Sequence, residues 1–411
     1  MLQDDASVRN VSDSIRKAAL PAAFLAGIAL RVLLLVTSYG SSDSAYNTLW
    51  AETTLQHGVS SIYALNSLAN HPPFSFALIR EYGRIARATG LSVPDVFRAA
   101  QILADLIAAL ALLVIGRRTG FGNQLSILYL LTPAVIFISA FHCNTDPMMG
   151  AFLLVAIALL LRGRLVAAGV ALAFASAIKI VPILLVPLFI AVLGRRAIRF
   201  LGAYTVTMAG LFLPTLVIAG PVMIRNVFGY GGFTGEWGIP AFFMILARYA
   251  GGGAIAADAA RIYAHHGEWA ALAAMLALTF IAWKRRPLTE VDAAAGVPVL
   301  LLILLFLAPG FGVQYLLWPI ALLPLVIGRV GYLILSGMIS TFLFYTYTLW
   351  SGGFPWWFAN ANDHYPAKPS TIAFALVVWL SLGVAAAAGS VRFVRTTGKP
   401  MPDAAGSGLF R

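Results

Sequence analysis

The stretch Ser41–Pro73, SSDSAYNTLWAETTLQHGVSSIYALNSLANHPP, carries Asp43, Glu52, His57 and His71 and is too polar to cross a membrane. It follows the apolar run Ala18–Ser38. That run is long enough to cross, because ~20 apolar residues cover a hydrocarbon core of ~30 Å. Asp43 therefore stands a few residues beyond the end of a span, at its outer mouth, beside both lipid and water. A helix is expected from Ser44 to Gln56, with Ser42 or Asp43 as its cap. Glu52 and His57 read as solvated or capping residues.

Outward from this stretch the chain alternates apolar runs with short basic clusters. It has 411 residues, 60% hydrophobic and only 11% charged, far from the ~25% charged composition of soluble domains. The net charge of +12 does not point to nucleic acid. Its carriers lie in inter-span clusters such as Arg117-Arg118, Arg162–Arg164, Arg195–Arg199 and Lys284–Arg286, the pattern of cytoplasmic loops. Of the 28 basic residues, 18 fall on one side when both termini are placed in the cytoplasm. Residues 1–17 are polar, and the apolar run after them is too long for a signal-peptide core, so an uncleaved anchor is expected. Cys143 is the sole cysteine, which rules out an intramolecular disulfide.

These features predict an all-α polytopic membrane protein of about 12 transmembrane helices, with outer-face loops and interfacial helices. The expected divisions are a cytoplasmic tail (1–17), one membrane domain (18–390) and a second cytoplasmic tail (391–411). Within the membrane domain lie an outer loop over 39–94, a second outer loop over 220–268 and C-terminal helices over 269–390. Pro73–Gly90 is expected to lie in the interface. There Arg80, Arg84 and Arg87 share one helical face, with Phe76, Ile79 and Ala86 turned away. Leu165–Leu193 is too long for one span and too short for two full ones, so two short helices are expected with Lys179 at a recessed hairpin tip. Trp318, Trp350, Trp356 and Trp357 read as interfacial anchors.

Several polar residues stand out against this background. Charges inside a membrane are costly, so each marks a function or a pairing. Arg31 and Asp105 lie at matching depths in the first two spans and are expected to pair. Lys179 shows no evident acidic partner and is read as a phosphate ligand. Asp146-Pro147 opens a span, a pattern that serves equally as a helix start. His142 lies four residues before Asp146, a spacing that suits a metal only if the turn is helical, so no metal and no cofactor are expected. His265 and His266 come from the second outer loop.

Asp43-Ser-Ala-Tyr46, Gly58, Ile62-Tyr63 and His71-Pro72-Pro73 together resemble the first outer loop of the GT-C superfamily of membrane glycosyltransferases. Asp146 at a span opening, Lys179-x-x-Pro182 and Gln314-Tyr315-x-x-Trp318-Pro319 are similar to the polyprenol-phosphate-mannose-dependent mannosyltransferases of glycosyltransferase family 87. The resemblance covers roughly Ala18–Pro319, and it makes 18–219 a GT-C-like catalytic module. The first loop has no Asp-x-Asp pair, which argues against a metal-dependent subtype. The resemblance implies an enzyme that moves a sugar, mannose or a related hexose, from a polyprenyl-phosphate-linked donor to a lipid or glycan acceptor. Asp43 would be the base, with Asp146 as a second catalytic acid. Tyr46, His71, Arg80, Arg84, His142, Lys179, His265, His266, Gln314 and Tyr315 would bind substrate. The implied setting is the inner (plasma) membrane, among membrane lipids, with the site on the periplasmic or extracellular side. The alternative is a polytopic transporter or lipid flippase. Against it stand a midplane poor in charge and the absence of evident repeated halves.

Overall fold

Inside a bilayer every backbone N–H and C=O must be satisfied within the chain, so the apolar runs fold as helices. The computed structural model describes residues 3–230, 232–234, 237–356 and 369–395. The first span lies within α1 (Gln3–Val36). The polar stretch after it forms α2 (Asp43–His57), α3 (Ile62–Leu65) and α4 (Pro73–Thr89). Helix α4 buries Phe76, Ile79, Tyr82 and Ala86 and turns its arginines outward, as the period of its sequence predicts. Pro at its first turn and a left-handed Gly90 beyond its end fix its limits. Next comes α5 (Val93–Thr119), started by a Ser92 cap that accepts from the Asp95 N–H.

The apolar run after α5 is bent. It runs through α6 (Gln124–Leu131) and α7 (Pro133–Phe137) and finishes in a π-helical turn, Ile138–His142, with a bend of 56° at the break. Pro133 cannot donate into the ladder, which explains the break. Then α8 (Asp146–Leu160) and α9 (Leu165–Ile178) lead to Lys179, whose extended backbone ends the helix. A 3-10 turn over Val181–Leu185 and α10 (Val186–Leu193) run back. Phe189 of α10 stacks on Phe200 at 5.4 Å between ring centroids, past the turn at Gly194–Arg196 that starts α11 (Ala197–Phe228). The expected short pair with Lys179 at its tip is what the chain forms.

The second half contains α12 (Gly238–Tyr249), α13 (Gly253–Arg285), α14 (Glu290–Leu307), α15 (Leu317–Ile320), α16 (Pro324–Trp350) and α17 (Pro369–Arg395). Two residues of β1 (Phe233–Thr234) pair antiparallel with β2 (Gly310–Phe311), with Phe233 opposite Phe311. The expected second outer loop over 220–268 is therefore mostly helix. The count of spans also changes. Among the described residues seven helices are long and apolar enough to cross, or eight if the bent pair counts as one. Helices α8 and α9, with 15 and 14 residues, reach only ~21–23 Å at 1.5 Å per residue. The chain from Val313 to Ile320 is a series of short turns, and Gly328 at φ +73 breaks it again inside α16.

The basic turns collect on one face. Arg196 meets Glu290 at 2.7 Å, and Arg286 holds Asp292 and the carbonyl of Phe393. The polar residues around Asp43 lie at the other ends of these helices. Trp357, Lys368, Lys399, Arg411 and most of the 391–411 tail lie outside the described residues.

Candidate functional site

Asp43 sits in the first turn of α2, where its side chain does not cap the helix. Its carboxylate accepts from the Asn144 amide at 2.6 Å and faces His142 Nε2 at 3.5 Å. Two features place these partners. The π-helical turn carries His142 to its end, and Cys143 follows at φ +61, an uncommon conformation for a residue with a Cβ. The Asn47 amide fixes that turn by donating to the Cys143 carbonyl at 2.7 Å, and the Ser41 hydroxyl donates to the His142 carbonyl. Single π turns recur at functional sites.

Arg98 holds the same region from α5. Its guanidinium donates to Ser38 Oγ at 2.8 Å, to the Ser38 carbonyl at 3.0 Å and to the Ala140 carbonyl at 3.2 Å. Asp95 supplies its counter-charge at 2.7 Å. The end of the first span is thus pinned to the end of the bent one, and Asp43 is carried with it.

Asp146 opens α8, fully buried. Lys179 at the α9 tip reaches it with Nζ 2.8 and 3.0 Å from the two carboxylate oxygens. The expectation that Lys179 lacks an acidic partner is therefore corrected. Helix α8 starts and α9 ends at one depth, so the two charges meet. Trp318, expected as an interfacial anchor, instead donates its indole N–H to Asp146. Tyr315 stacks on Trp318 with centroids 4.3 Å apart, and the Lys179 ammonium stands 4.5 Å from the Tyr315 ring centre. Trp356 is likewise no anchor, since it is buried among Phe137, Phe141 and Tyr347.

The remaining expected residues divide into two groups. Gln314 lies beside the His142 ring, whose Nδ1 is 3.0 Å from the Tyr347 hydroxyl. His71 packs edge-on against Trp50, with centroids 5.5 Å apart. Burial and the nearby Lys179 charge lower its pKa to about 3, against a smaller opposing effect of Asp146, so it is neutral at pH 7. Tyr46 lies 6.0 Å from Trp50 on α2. By contrast, Arg80 and Arg84 are engaged with Glu81, at 3.3 and 3.0 Å. His265 and His266 are exposed on α13, their rings 4.6 Å apart. Those four are not drawn into the cluster. Glu52 and His57 are exposed on α2.

Asn144, Asn47, Tyr347 and Tyr230 were not legible as site residues. Tyr230, just past α11, lies beside Tyr315 and Asn70. Nothing in the local sequence distinguishes these residues from ordinary loop amides and span aromatics. Among the described residues no group of three or more His, Cys, Asp and Glu is arranged to hold a metal.

A family model described as GPI transamidase subunit PIG-U matches residues 31–231. No curated protein matches the chain. The family match bears out a multi-pass membrane protein of the broad GT-C-like class, but not the family-87 mannosyltransferases. It overturns the expected activity. The matched family is a transamidase subunit, so the reading as a polyprenyl-phosphate-sugar-dependent hexosyltransferase, with Asp43 as its base, is withdrawn. The sugar donor is withdrawn as a partner with it.

Proposed function

We propose that this chain is a membrane-embedded, ligand-holding subunit of a GPI-transamidase-type complex. Its site around Asp43, His142, Asp146 and Lys179 would take the polar head of a glycosylphosphatidylinositol-type lipid. One observation carries the reading. Trp50 Nε1, His142 Nε2, Asn144 Oδ1 and Thr145 Oγ1 are buried without a hydrogen-bond partner. All four lie in the segment that the family model matches. A buried polar group left unmade costs about 1–3 kcal/mol. An indole N–H, a ring nitrogen, an amide oxygen and a hydroxyl, two of them on the residues that contact the half-buried Asp43 carboxylate, suit a polyol, which both gives and takes hydrogen bonds.

Transamidation itself requires a nucleophile, and the chain's own thiol and the nearby hydroxyl are poor ones. Burial pushes the Cys143 thiol up to about 12, so it holds little thiolate at pH 7. The Ser41 hydroxyl is committed to the His142 carbonyl. The acyl-transfer step therefore belongs to a partner subunit, and this chain supplies the lipid head. The site would face away from the cytoplasm, with both termini inside. The collection of basic turns on the opposite face supports that orientation.

Native mass spectrometry of the purified protein tests the reading. A glycosylphosphatidylinositol-type lipid should be retained at least tenfold better than phosphatidylinositol with the same acyl chains. Equal retention of the two lipids would refute it.

A further inference from the structure

We propose that Asp43 is the docking point for a primary ammonium group on the lipid head, and that the site selects an amine-bearing glycolipid over a neutral or purely phosphorylated one. The inference rests on the glycolipid-head reading above and adds the chemistry that selects the ligand. It comes from matching the cations buried in the half of the chain around Asp43 to their carboxylates. Arg31 holds Asp105 at 2.9 Å, Arg98 holds Asp95 at 2.7 Å and Lys179 holds Asp146 at 2.8 Å. Each of these pairs is neutral as a unit.

Asp43 is the acid left over. Its side-chain contacts are the Asn144 amide and the His142 ring, and His142 is the only basic side chain within 4.0 Å of it among the described residues. The groups around it, Tyr230, Tyr315 and Tyr347, are phenols that sense its charge without balancing it. The Asp43 side chain is 29% exposed, while that of His142 is 5% exposed. The carboxylate is thus open to a ligand on one side and backed by polar groups on the other.

The second, independent observation is His142. Its Nε2 has no hydrogen-bond partner, lies buried and stands 3.5 Å from the carboxylate. With that nitrogen unprotonated, it would accept one ammonium N–H while Asp43 accepts a second. An ammonium has three donors and no acceptor, which matches a carboxylate beside a bare ring nitrogen. A phosphate would meet the opposite arrangement. Lys179, whose charge acts on the His142 ring, is already bound to Asp146 and covered by Tyr315. Charge-assisted hydrogen bonds are roughly twice as strong as neutral ones, so the amine rather than the sugar hydroxyls would set selectivity.

The test uses the full chain in detergent with glucosaminyl-phosphatidylinositol and its N-acetylated form as probes, read by native mass spectrometry. The free amine should bind at least tenfold tighter than the N-acetyl form. Asp43→Asn should remove that preference and leave the N-acetyl form bound as before, since Asn retains an acceptor for Asn144. Glu52→Gln, an exposed carboxylate on the same helix, should leave the preference intact. A phosphoethanolamine-bearing glycolipid whose glucosamine is acetylated shows which amine is read. If it regains the affinity, the ethanolamine is the docked group; if it does not, the glucosamine is. If the amine-bearing and fully acetylated lipids bind equally and both surpass phosphatidylinositol, the amine inference fails while the glycolipid reading stands. If none surpasses phosphatidylinositol, both fail. Should Asp43→Asn unfold, Asn144→Asp, which adds a second carboxylate at the same point, replaces it. That variant must strengthen amine binding, and a weakening would overturn the inference.

Discussion

Two buried residues stand out at this site, His71 for its protonation and Asp146 for the charge it balances. His71 is held neutral in the folded protein, its pKa lowered from 6.5 to about 3 by burial and by Lys179. An unfolded chain would protonate it near pH 6.5. Below that pH the unfolded state binds a proton that the folded state refuses. Stability is therefore full above pH 6.5 and falls as pH drops from there towards 3, at ~1.4 kcal/mol per unit. Thermal unfolding in detergent should show a loss of ~2 kcal/mol by pH 5. His71→Gln should flatten that slope, and an unchanged slope would show that another group titrates. Asp146 was legible in the sequence as a charged helix start, but its partner was not read. The depth comparison that pairs Arg31 with Asp105 applies equally to Asp146 and Lys179, because one opens α8 and the other closes α9. Asn144 and Tyr347 offered no such signal. Their roles depend on the π turn, which no local pattern announces.

Helices α9 and α11 approach closely enough that side-chain size decides their spacing. A Cβ added at Gly169 would collide with the Phe200 carbonyl oxygen. Higher along the same pair, the Tyr204 hydroxyl donates to Ser176 at 3.1 Å. Lys179 comes three residues after Ser176, so this contact sets where the charged tip stands. Gly169→Ile should force the helices apart and cost ~1–3 kcal/mol, the usual cost of overpacking. Gly150→Ile is the control, because a Cβ at Gly150 meets nothing within 4 Å. Thermal unfolding that distinguishes the two variants supports the close contact, and equal melting points would not. The short α9–α10 pair itself was legible by length alone. Leu165–Leu193 fits neither one span nor two, and an extended Lys179 backbone followed by Pro182 resolves the conflict. The span count was less legible. Apolar composition marks a helix as buried or lipid-facing, but short helices surrounded by longer ones need not cover the full ~30 Å. Helices α8 and α9 are of that kind.

Across the whole molecule, the basic turns lie at the ends of the helices away from Asp43. Single cysteines placed in a Cys143→Ala background should report it. Ala45→Cys, exposed on α2, should react with an impermeant maleimide from outside intact cells, and Gly163→Cys, in the turn between α8 and α9, only after permeabilisation. The reverse result would invert the orientation. The multi-pass helical architecture was written in composition and in basic clusters, whereas the chemistry was not. Motifs a few residues long suggested sugar transfer, but the matched family is a transamidase subunit. Short acidic and aromatic motifs at a membrane surface suit any protein that holds a sugar-bearing lipid, so they cannot by themselves separate transfer from presentation. The most direct measurement is photo-crosslinking with a glycosylphosphatidylinositol analogue that carries a diazirine on its glycan, followed by peptide mapping. The account predicts adducts confined to Asp43–His57, Phe141–Asp146 and Val313–Trp318, lost when unlabelled glycolipid is added in excess. Adducts spread over the lipid-facing helices and unaffected by competitor would contradict it.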